Sequence, residues 1–362
     1  MSKVLFVSYD LAGKGGIEVV SKKLSQLLIK KGYYNEFIFI SDKKVNKNTI
    51  IDDSWLEGLI FNRITSDIKN NKLRRLYFSF LLAKYLRKNK FDVIVGLCPL
   101  SCYIVNLSKK ISFIKTPLFS WIHGALQYQY KKEYLKKANK HLAISSGIAN
   151  GLIDIGINKK DISIIFNPVK KQSTTIKRPE SISNFLYIGR MENSQKNINE
   201  LICSLSNLKE EWHLDFIGDG PDRDSIQQLA KEKEINDRIT WHGWKEAPWH
   251  FVINNIHGVT ALILTSKYEG FPMILGEALS RGIYCISSNC DSGPEDIIKD
   301  NINGQLYEPG NTMRLTSIIK ETTQNNLPDY DSIKSSINDF YDSNYINKVI
   351  NSFNLAYQET EY

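Results

Sequence analysis

Short apolar runs alternate with longer amphipathic ones along the first half of the chain. Val4–Ser8, Glu36–Ile40, Val93–Leu97, Leu118–Ile122 and His141–Ile144 are brief, mostly apolar stretches of strand length. Runs with so little polar alternation suit strands covered on both faces. Ile17–Lys31 and Arg74–Lys88 carry apolar residues at helical spacing. Strands that alternate with helices predict βαβ units and a mostly parallel sheet.

A polar stretch, Lys170 to Ser183, contains Pro179 and reads as a linker. The pattern then resumes, with strands expected at Phe185–Ile188, His213–Ile217, Ile239–His242, Ala261–Leu264 and Tyr284–Ser287. Both halves therefore have one architecture. The expected fold class is α/β, two Rossmann-like domains facing across a cleft. Residues 1–169 would form the first domain and 184–340 the second. A helix expected at Tyr345–Tyr357 would carry segment 341–362 back to the first domain.

The segment Lys72–Lys88 stands apart from the other helices. Its apolar and aromatic residues recur at helical spacing and are edged by cations. That pattern suits a helix lying at a membrane interface. It also suits a helix that packs on its own sheet.

Composition narrows the class further. The chain has 362 residues, 42% hydrophobic and 24% charged, which is globular and long enough for two domains. The longest apolar run, Val93 to Val105, is broken by Pro99 and is too short to span a bilayer. The first residues lead straight into a strand, so no signal peptide is expected. Five cysteines, at 98, 102, 203, 285 and 290, are odd in number, lack metal spacing and suit a reducing cytoplasm. The net charge of +8 hides an asymmetry. Residues 1–168 hold 28 Lys/Arg against 12 Asp/Glu, a balance of +16, and residues 169–362 hold 19 against 27, a balance of −8. Two halves of opposite sign imply different partners, and the basic half suits an anionic membrane or glycolipid.

Candidate chemistry gathers where predicted strands end. Gly13-Lys14-Gly15-Gly16-Ile17-Glu18 joins the first strand to the first helix, where glycines let a phosphate approach the backbone, although a tight turn needs glycines too. Gly189-Arg190, with Lys196 beyond it, ends the first strand of the second half. Cations there could hold a diphosphate. Gly218-Asp219-Gly220-Pro221 permits a close approach or merely a turn. Asp222-Arg223-Asp224 has a metal-like spacing but reads as a helix start. Trp241-His242-Gly243-Trp244 could lie along a nucleobase or pack at a domain edge. His123 ends a strand of the first half. The stretch Glu269-Gly270-Phe271-Pro272-Met273-Ile274-Leu275-Gly276-Glu277 places two carboxylates around a helix start, with Pro272 suited to the first helical position.

In this order, Gly15-Gly16, His123, Gly189-Arg190 with Lys196, Gly218-Asp219-Gly220 and the Glu269/Glu277 pair resemble the retaining glycosyltransferases of family four, which have the GT-B fold. Phe119-Ser120-Trp121, Leu142–Ile148, Ile165–Val169, Asp237–Trp244, Tyr268–Met273 and Ser292-Gly293-Pro294 look most like the members that add galactose to the lipopolysaccharide core of enteric bacteria. The resemblance implies a UDP-hexose donor, with galactose from UDP-galactose foremost, and an anionic glycolipid or oligosaccharide acceptor. A capsule or exopolysaccharide transferase using UDP-glucose or another UDP-sugar, or a hydrolysing UDP-sugar epimerase of the same fold, is the alternative.

By the same resemblance, Arg190 and Lys196 would stabilise the leaving diphosphate, with Gly15 and Gly16 against the phosphates and Gly218 nearby. Glu269 would bind the donor sugar's hydroxyls, and Gly270, Phe271, Pro272 and Met273 would offer backbone N–H groups. Glu277 would accept from the ribose, Trp244 would border the uracil, and His123 would meet the sugar near its reacting face. The acceptor hydroxyl would attack from the face the phosphate leaves, with that phosphate as base and no metal or other cofactor. Many family members carry an acidic residue after the histidine; here it is Gly124. The expected setting is a monomer in the cytoplasm, peripheral on the inner membrane through its basic half, with no nucleic-acid partner.

Overall fold

In the computed structural model, which describes residues 2–13, 15–42, 51–324 and 326–360, the chain divides into two units. One comprises Met1–Pro168 with Asp342–Tyr362, and the other is Val169–Tyr341. Lys14 of the glycine loop, and Glu361 and Tyr362 of the returning segment, lie outside the described residues.

The first series runs β1 (Lys3–Tyr9), α1 (Gly16–Lys30), β2 (Tyr34–Asp42), β3 (Phe61–Ser66), α2 (Asn71–Lys88), β4 (Val93–Gly96), α3 (Pro99–Ser112), β5 (Leu118–Ile122), β6 (Lys140–Ala143), α4 (Ser146–Asp154) and β7 (Ile162–Ile164). The second runs β8 (Ser183–Ile188), α5 (Asn193–Lys196), α6 (Ile198–Ser206), β9 (Trp212–Ile217), α7 (Arg223–Glu232), β10 (Ile239–Gly243), α8 (Pro248–Asn255), β11 (Ala261–Leu264), α9 (Met273–Leu279), β12 (Tyr284–Ser288), α10 (Pro294–Ile297), β13 (Gly304–Tyr307), α11 (Thr312–Gln324) and α12 (Tyr330–Ser335). Then α13 (Asp342–Thr360) follows.

Every strand pairing among the described residues is parallel. The first sheet has the order β3-β2-β1-β4-β5-β6-β7 and the second β10-β9-β8-β11-β12-β13. Each sheet grows outward in one direction from its first strand and then restarts on that strand's other side. The reversal falls between β1 and β4 in one unit and between β8 and β11 in the other. Ligands of such sheets bind at the carboxyl ends of the strands flanking the reversal.

Central strands are apolar because helices cover both faces. All four residues of β4 and of β11 are buried, as are all five of β5 and β12. Phe6 stacks on Phe37 at 4.8 Å in the first core, and Tyr187 on Phe216 at 4.3 Å in the second. Three strands that the hydrophobic pattern did not announce, β3, β7 and β13, all lie at sheet edges.

Pro99, which interrupts the apolar run after β4, is the first residue of α3. Cys98 caps that helix through the Ser101 N–H, and Ser101 Oγ returns to Cys98 N–H at 3.1 Å. A proline fits there because the N–H it lacks would have had no partner in the helix.

The stretch read as a linker belongs to the second unit. Ile176 N–H donates to the Arg281 carbonyl at 3.0 Å, and Lys334 Nζ reaches Thr175 Oγ1 at 2.6 Å. The Arg178 guanidinium lies 4.8 Å from the Tyr330 ring centre and donates to the Leu327 and Pro328 carbonyls.

The helix α13 is part of the first unit. Phe353, fully buried, meets Phe119 of β5 edge to face at 5.2 Å, and Asp342 pairs with Lys23 of α1 at 2.6 Å. Phe353→Ala would leave a cavity under β5 and should destabilise the first unit by about 3–5 kcal/mol. A lower urea midpoint with an unchanged slope is the expected reading.

Candidate active site

The second sheet's reversal point brings together the segments after β8 and β11. The chain leaves β8 at Ile188 and passes Gly189 and Arg190 into α5, a single turn ending at Lys196. It leaves β11 at Leu264 and runs through Ser266 and Glu269 towards α9. Lys196 Nζ meets Glu269 Oε1 at 2.6 Å, and Ser266 Oγ donates to the same oxygen at 2.6 Å. Neutral bonds hold this pair in place. Thr265 Oγ1 donates to the Lys196 carbonyl at 2.8 Å, and Lys267 N–H to the Gln195 carbonyl at 2.8 Å. Glu269 Oε2 has no hydrogen-bond partner among the described residues. A largely buried carboxylate thus presents one committed oxygen and one unused one.

Arg190 lies in the same loop but points outward. Its side chain is 68% exposed and touches Glu192 at 3.2 Å. Such a surface pair is weak and leaves the guanidinium able to swing.

The glycines after β9 answer a packing demand. A Cβ on Gly218 would stand 1.9 Å from the Gly189 carbonyl oxygen, and one on Gly220 would stand 2.4 Å from that of Met191. The loop after β9 therefore lies backbone against backbone on the loop after β8. Met191 N–H donates to the Asp219 carbonyl at 2.9 Å, and Gly218 N–H to that of Gly243 at 3.0 Å. Asp222 stands just before α7, and its Oδ2 accepts the Asn193 N–H at 2.7 Å, fixing α5 from the side.

At the end of β10 the two tryptophans differ. Trp241 packs on Phe216 at 4.8 Å and donates to Asn236 at 3.2 Å, whereas Trp244 is 68% exposed. A bulge between Trp241 and Gly243 marks the change.

Around Glu269–Glu277 two details differ from the expected pattern. Pro272 is the residue before α9 rather than its first residue, and α9 is only seven residues long. Pro272 also has no N–H, so only Gly270, Phe271 and Met273 of that stretch can donate from the backbone. The Phe271 side chain is buried edge to face on Phe340 at 5.6 Å, so it serves the core. Glu277 Oε2 accepts from Trp249 Nε1 at 2.6 Å, and the Arg281 guanidinium stacks 4.3 Å from the Trp249 ring centre. Burial pushes the Glu277 carboxyl above its ordinary range; the Trp249 bond and the Arg281 charge partly offset this. Its Oε1 has no hydrogen-bond partner among the described residues.

Ser266 and Trp249 were not singled out in the sequence. Ser266 had only an ambiguous signal, since Ser-x-x-Glu spacing ordinarily marks a helix capping box and here the two side chains bond each other. Trp249, in α8, had none, because only the fold brings it to Glu277.

Three candidate residues belong to the first unit. Gly15 precedes α1, and its Cβ position would lie 2.7 Å from Glu18 Oε2. Gly16 has open space where a Cβ would stand. Glu18 is buried, and its Oε1 accepts the Gly13 N–H at 2.9 Å. His123 follows β5, with its ring edge to face on Trp121 at 4.2 Å. The residue is half-buried, yet its Nε2 is shut off from solvent and has no hydrogen-bond partner among the described residues. Burial lowers its pKa to about 3, so the ring is neutral at physiological pH. His141 is buried as well, contacts Ser120 Oγ at 2.7 Å, and is lowered to about 4 by burial.

The comparisons with known proteins identify the family. Residues 14–172 match the family described as Glycosyltransferase Family 4, and residues 170–337 match Glycosyl transferases group 1. The chain is 36% identical over 351 residues to a lipopolysaccharide 1,6-galactosyltransferase of Escherichia coli (strain K12), covering 96% of both chains. It is 34% identical over 361 residues to its namesake in Salmonella typhimurium, covering 97% of this chain and 98% of that one. The solved apo form of the lipopolysaccharide outer core galactosyltransferase WaaB superposes with a TM-score of 0.91 at 34% identity, over 97% of this chain and 98% of that one. The Anabaena protein HepE, solved with UDP, shares the fold at a TM-score of 0.78 and 16% identity, over 97% of this chain and 99% of its own. Two parallel Rossmann-like sheets with these neighbours define a GT-B glycosyltransferase. The chain belongs to glycosyltransferase family 4.

The two lowered histidines set a pH dependence. In the unfolded chain both bind a proton near pH 6.5, whereas the folded protein resists until about 3 and 4. Between these values the unfolded state holds more protons, so acid favours unfolding. Their contribution is present above pH 6.5 and is lost as pH falls towards the folded values. The urea midpoint should therefore drop from pH 7 to 5, with a shallower drop in His123→Asn.

Proposed function

We propose that the protein is a retaining hexosyltransferase that takes a UDP-hexose, galactose first, and adds the sugar to a lipopolysaccharide core or related cell-envelope oligosaccharide. The observation that carries this reading is the Lys196–Glu269 pair at the second sheet's reversal point. Similarity over nearly the whole chain to two lipopolysaccharide 1,6-galactosyltransferases supports the sugar and the acceptor class.

In this reading the donor's diphosphate lies beside Lys196, and Arg190 swings from Glu192 to join it. These cations oppose the charge that grows as UDP departs, and a positioned donor of this kind can contribute about 3–4 kcal/mol to the transition state. Glu269 keeps Oε1 on Lys196 and Ser266, and offers Oε2 to the sugar's hydroxyls. Glu277 keeps Oε2 on Trp249 and offers Oε1 to the ribose. The exposed face of Trp244 borders the uracil. Backbone N–H groups of Gly270, Phe271 and Met273 complete the second unit's share. Within the first unit, Gly16 has open space where a side chain would stand and the His123 ring is neutral.

The acceptor hydroxyl attacks the anomeric carbon on the face from which the phosphate departs. The bond from that carbon to the phosphate oxygen breaks as the new glycosidic bond forms. The acceptor's proton passes to the departing phosphate oxygen, and UDP leaves. No protein nucleophile takes part in this reading, and the cations supply the charge balance. We place the reaction at the cytoplasmic face of the inner membrane, with the basic first half facing the bilayer.

Turnover of UDP-galactose by purified protein, with a lipopolysaccharide core acceptor and EDTA present, tests this directly. Acceptor-dependent release of UDP is expected. Sugar released equally well without acceptor would mean an epimerase, and preference for UDP-glucose with capsule acceptors would move the protein to another pathway. Lys196→Ala should lower kcat by about 100-fold or more, with Tm recorded because the change strands Glu269. Glu277→Ala should act mainly through a higher donor KM. Wild-type kinetics in both variants would overturn the assignment.

A further inference from the structure

Lys196 ends one helix and stands one residue before the next. Asn197 closes α5 and also caps the start of α6, and its backbone is left-handed, at φ 49° and ψ 43°. That conformation is disfavoured for residues with a Cβ, though less for asparagine than for most. Asn197 therefore breaks the helical path between Lys196 and Ile198. The break sets the direction in which the Lys196 side chain leaves the backbone.

Two side chains bridge this break. Asn193, the first residue of α5, accepts the Asn199 N–H on Oδ1 at 3.0 Å. Glu200, in the first turn of α6, accepts the Asn197 side-chain amide on Oε2, and its own N–H donates to the Asn197 carbonyl at 3.0 Å. In an ordinary capping box, the carboxylate of the third helical residue takes the backbone N–H of the cap residue. Here that N–H already donates to the Asn193 carbonyl, at 3.0 Å. Glu200 takes the cap's side chain instead.

Glu200 is 6% exposed. Burial pushes its carboxyl above the ordinary range, and the Gly310 N–H, the Asn197 amide and the Lys267 charge partly offset this. An exposed carboxylate would serve the helix start as well, without the desolvation. Capping alone therefore leaves the burial of Glu200 unexplained. Burial adds a fixed point of attachment. The α6 side chains Ile198, Leu201, Ile202 and Leu205 are all 0% exposed, and a carboxylate carried on so well packed a helix passes that rigidity to Asn197. Thr265 holds the Lys196 carbonyl and Glu269 holds its ammonium, but neither restrains the Asn197 torsions.

We infer that Glu200 is a positioning residue for the transfer reaction: by gripping the Asn197 side chain it locks the left-handed turn that aims Lys196 at the donor's diphosphate. Glu200 itself touches no substrate. The inference rests on the role proposed above for Lys196.

Steady-state kinetics of the full chain with UDP-galactose and the core acceptor, read beside Tm, test this. Glu200→Ala should lower kcat by about tenfold or more, as misplacing a reacting group does, and should change the donor KM less than kcat. Asn197→Asp sets carboxylate against carboxylate and should do the same. Combining Asn197→Asp with Glu200→Gln exchanges donor and acceptor across one contact and should restore most of kcat. In a Lys196→Ala background, Glu200→Ala should add little, because a residue that acts through Lys196 then has nothing to place. A full further loss in that background, failure of the exchange to restore activity, or a fall in Tm at wild-type kcat in Glu200→Ala would sink the inference and leave Lys196 in its role. Wild-type kinetics in Lys196→Ala would remove that role, and this inference with it.

Discussion

Lys196 and Glu269 are 73 residues apart in the chain and stand on loops that follow neighbouring strands. Their ion pair sets the spacing between those loops, and the candidate site depends on it. Desolvation of two largely buried charges offsets much of their attraction, so the pair contributes more to position than to stability. The bonds around it agree with that role. Thr265 and Ser266 anchor each end, and the backbone contact between Lys267 and Gln195 limits how far the loops can part. A cation held so firmly is ready for an anion before the anion arrives, which is the condition for electrostatic preorganisation.

A second fastening works through shape. The loop after β9 touches the loop after β8 so closely that Gly218 and Gly220 have no space for a side chain. Three successive loops of the second sheet are therefore tied together, two by side-chain charge and two by bare backbone. In the proposed function, specificity for a sugar or base falls to side chains standing outside these contacts, such as Trp244 and the unused oxygens of Glu269 and Glu277.

Much of the fold was legible in the sequence, and its illegible parts share a cause. Central strands such as β4, β5 and β11 are buried on both faces and announce themselves as apolar runs. The edge strands β3, β7 and β13 do not. β3 is Phe-Asn-Arg-Ile-Thr-Ser and exposes most of its length, while β7 has three residues. Pro99 interrupts an apolar run yet opens a helix, because a strand and a helix meet there without a polar gap. In the candidate site, charged residues at strand ends were visible one at a time. Which of them meet was not, since Glu277 with Trp249 and Gly218 with Gly189 are tertiary facts. Of the two readings of segment 72–88, the structure bears out packing within the unit. The helix packs inward with one stripe and keeps a second outside.

The helix α13 gives the chain a particular order of assembly. The second unit is one continuous segment, 169–341, and all its strands among the described residues have been synthesised before α13 is made. The first unit cannot close over Phe119 until Phe353 has been synthesised, although its sheet emerges much earlier. The half made first therefore completes its core last, and a nascent chain carries that exposed seam through most of its synthesis.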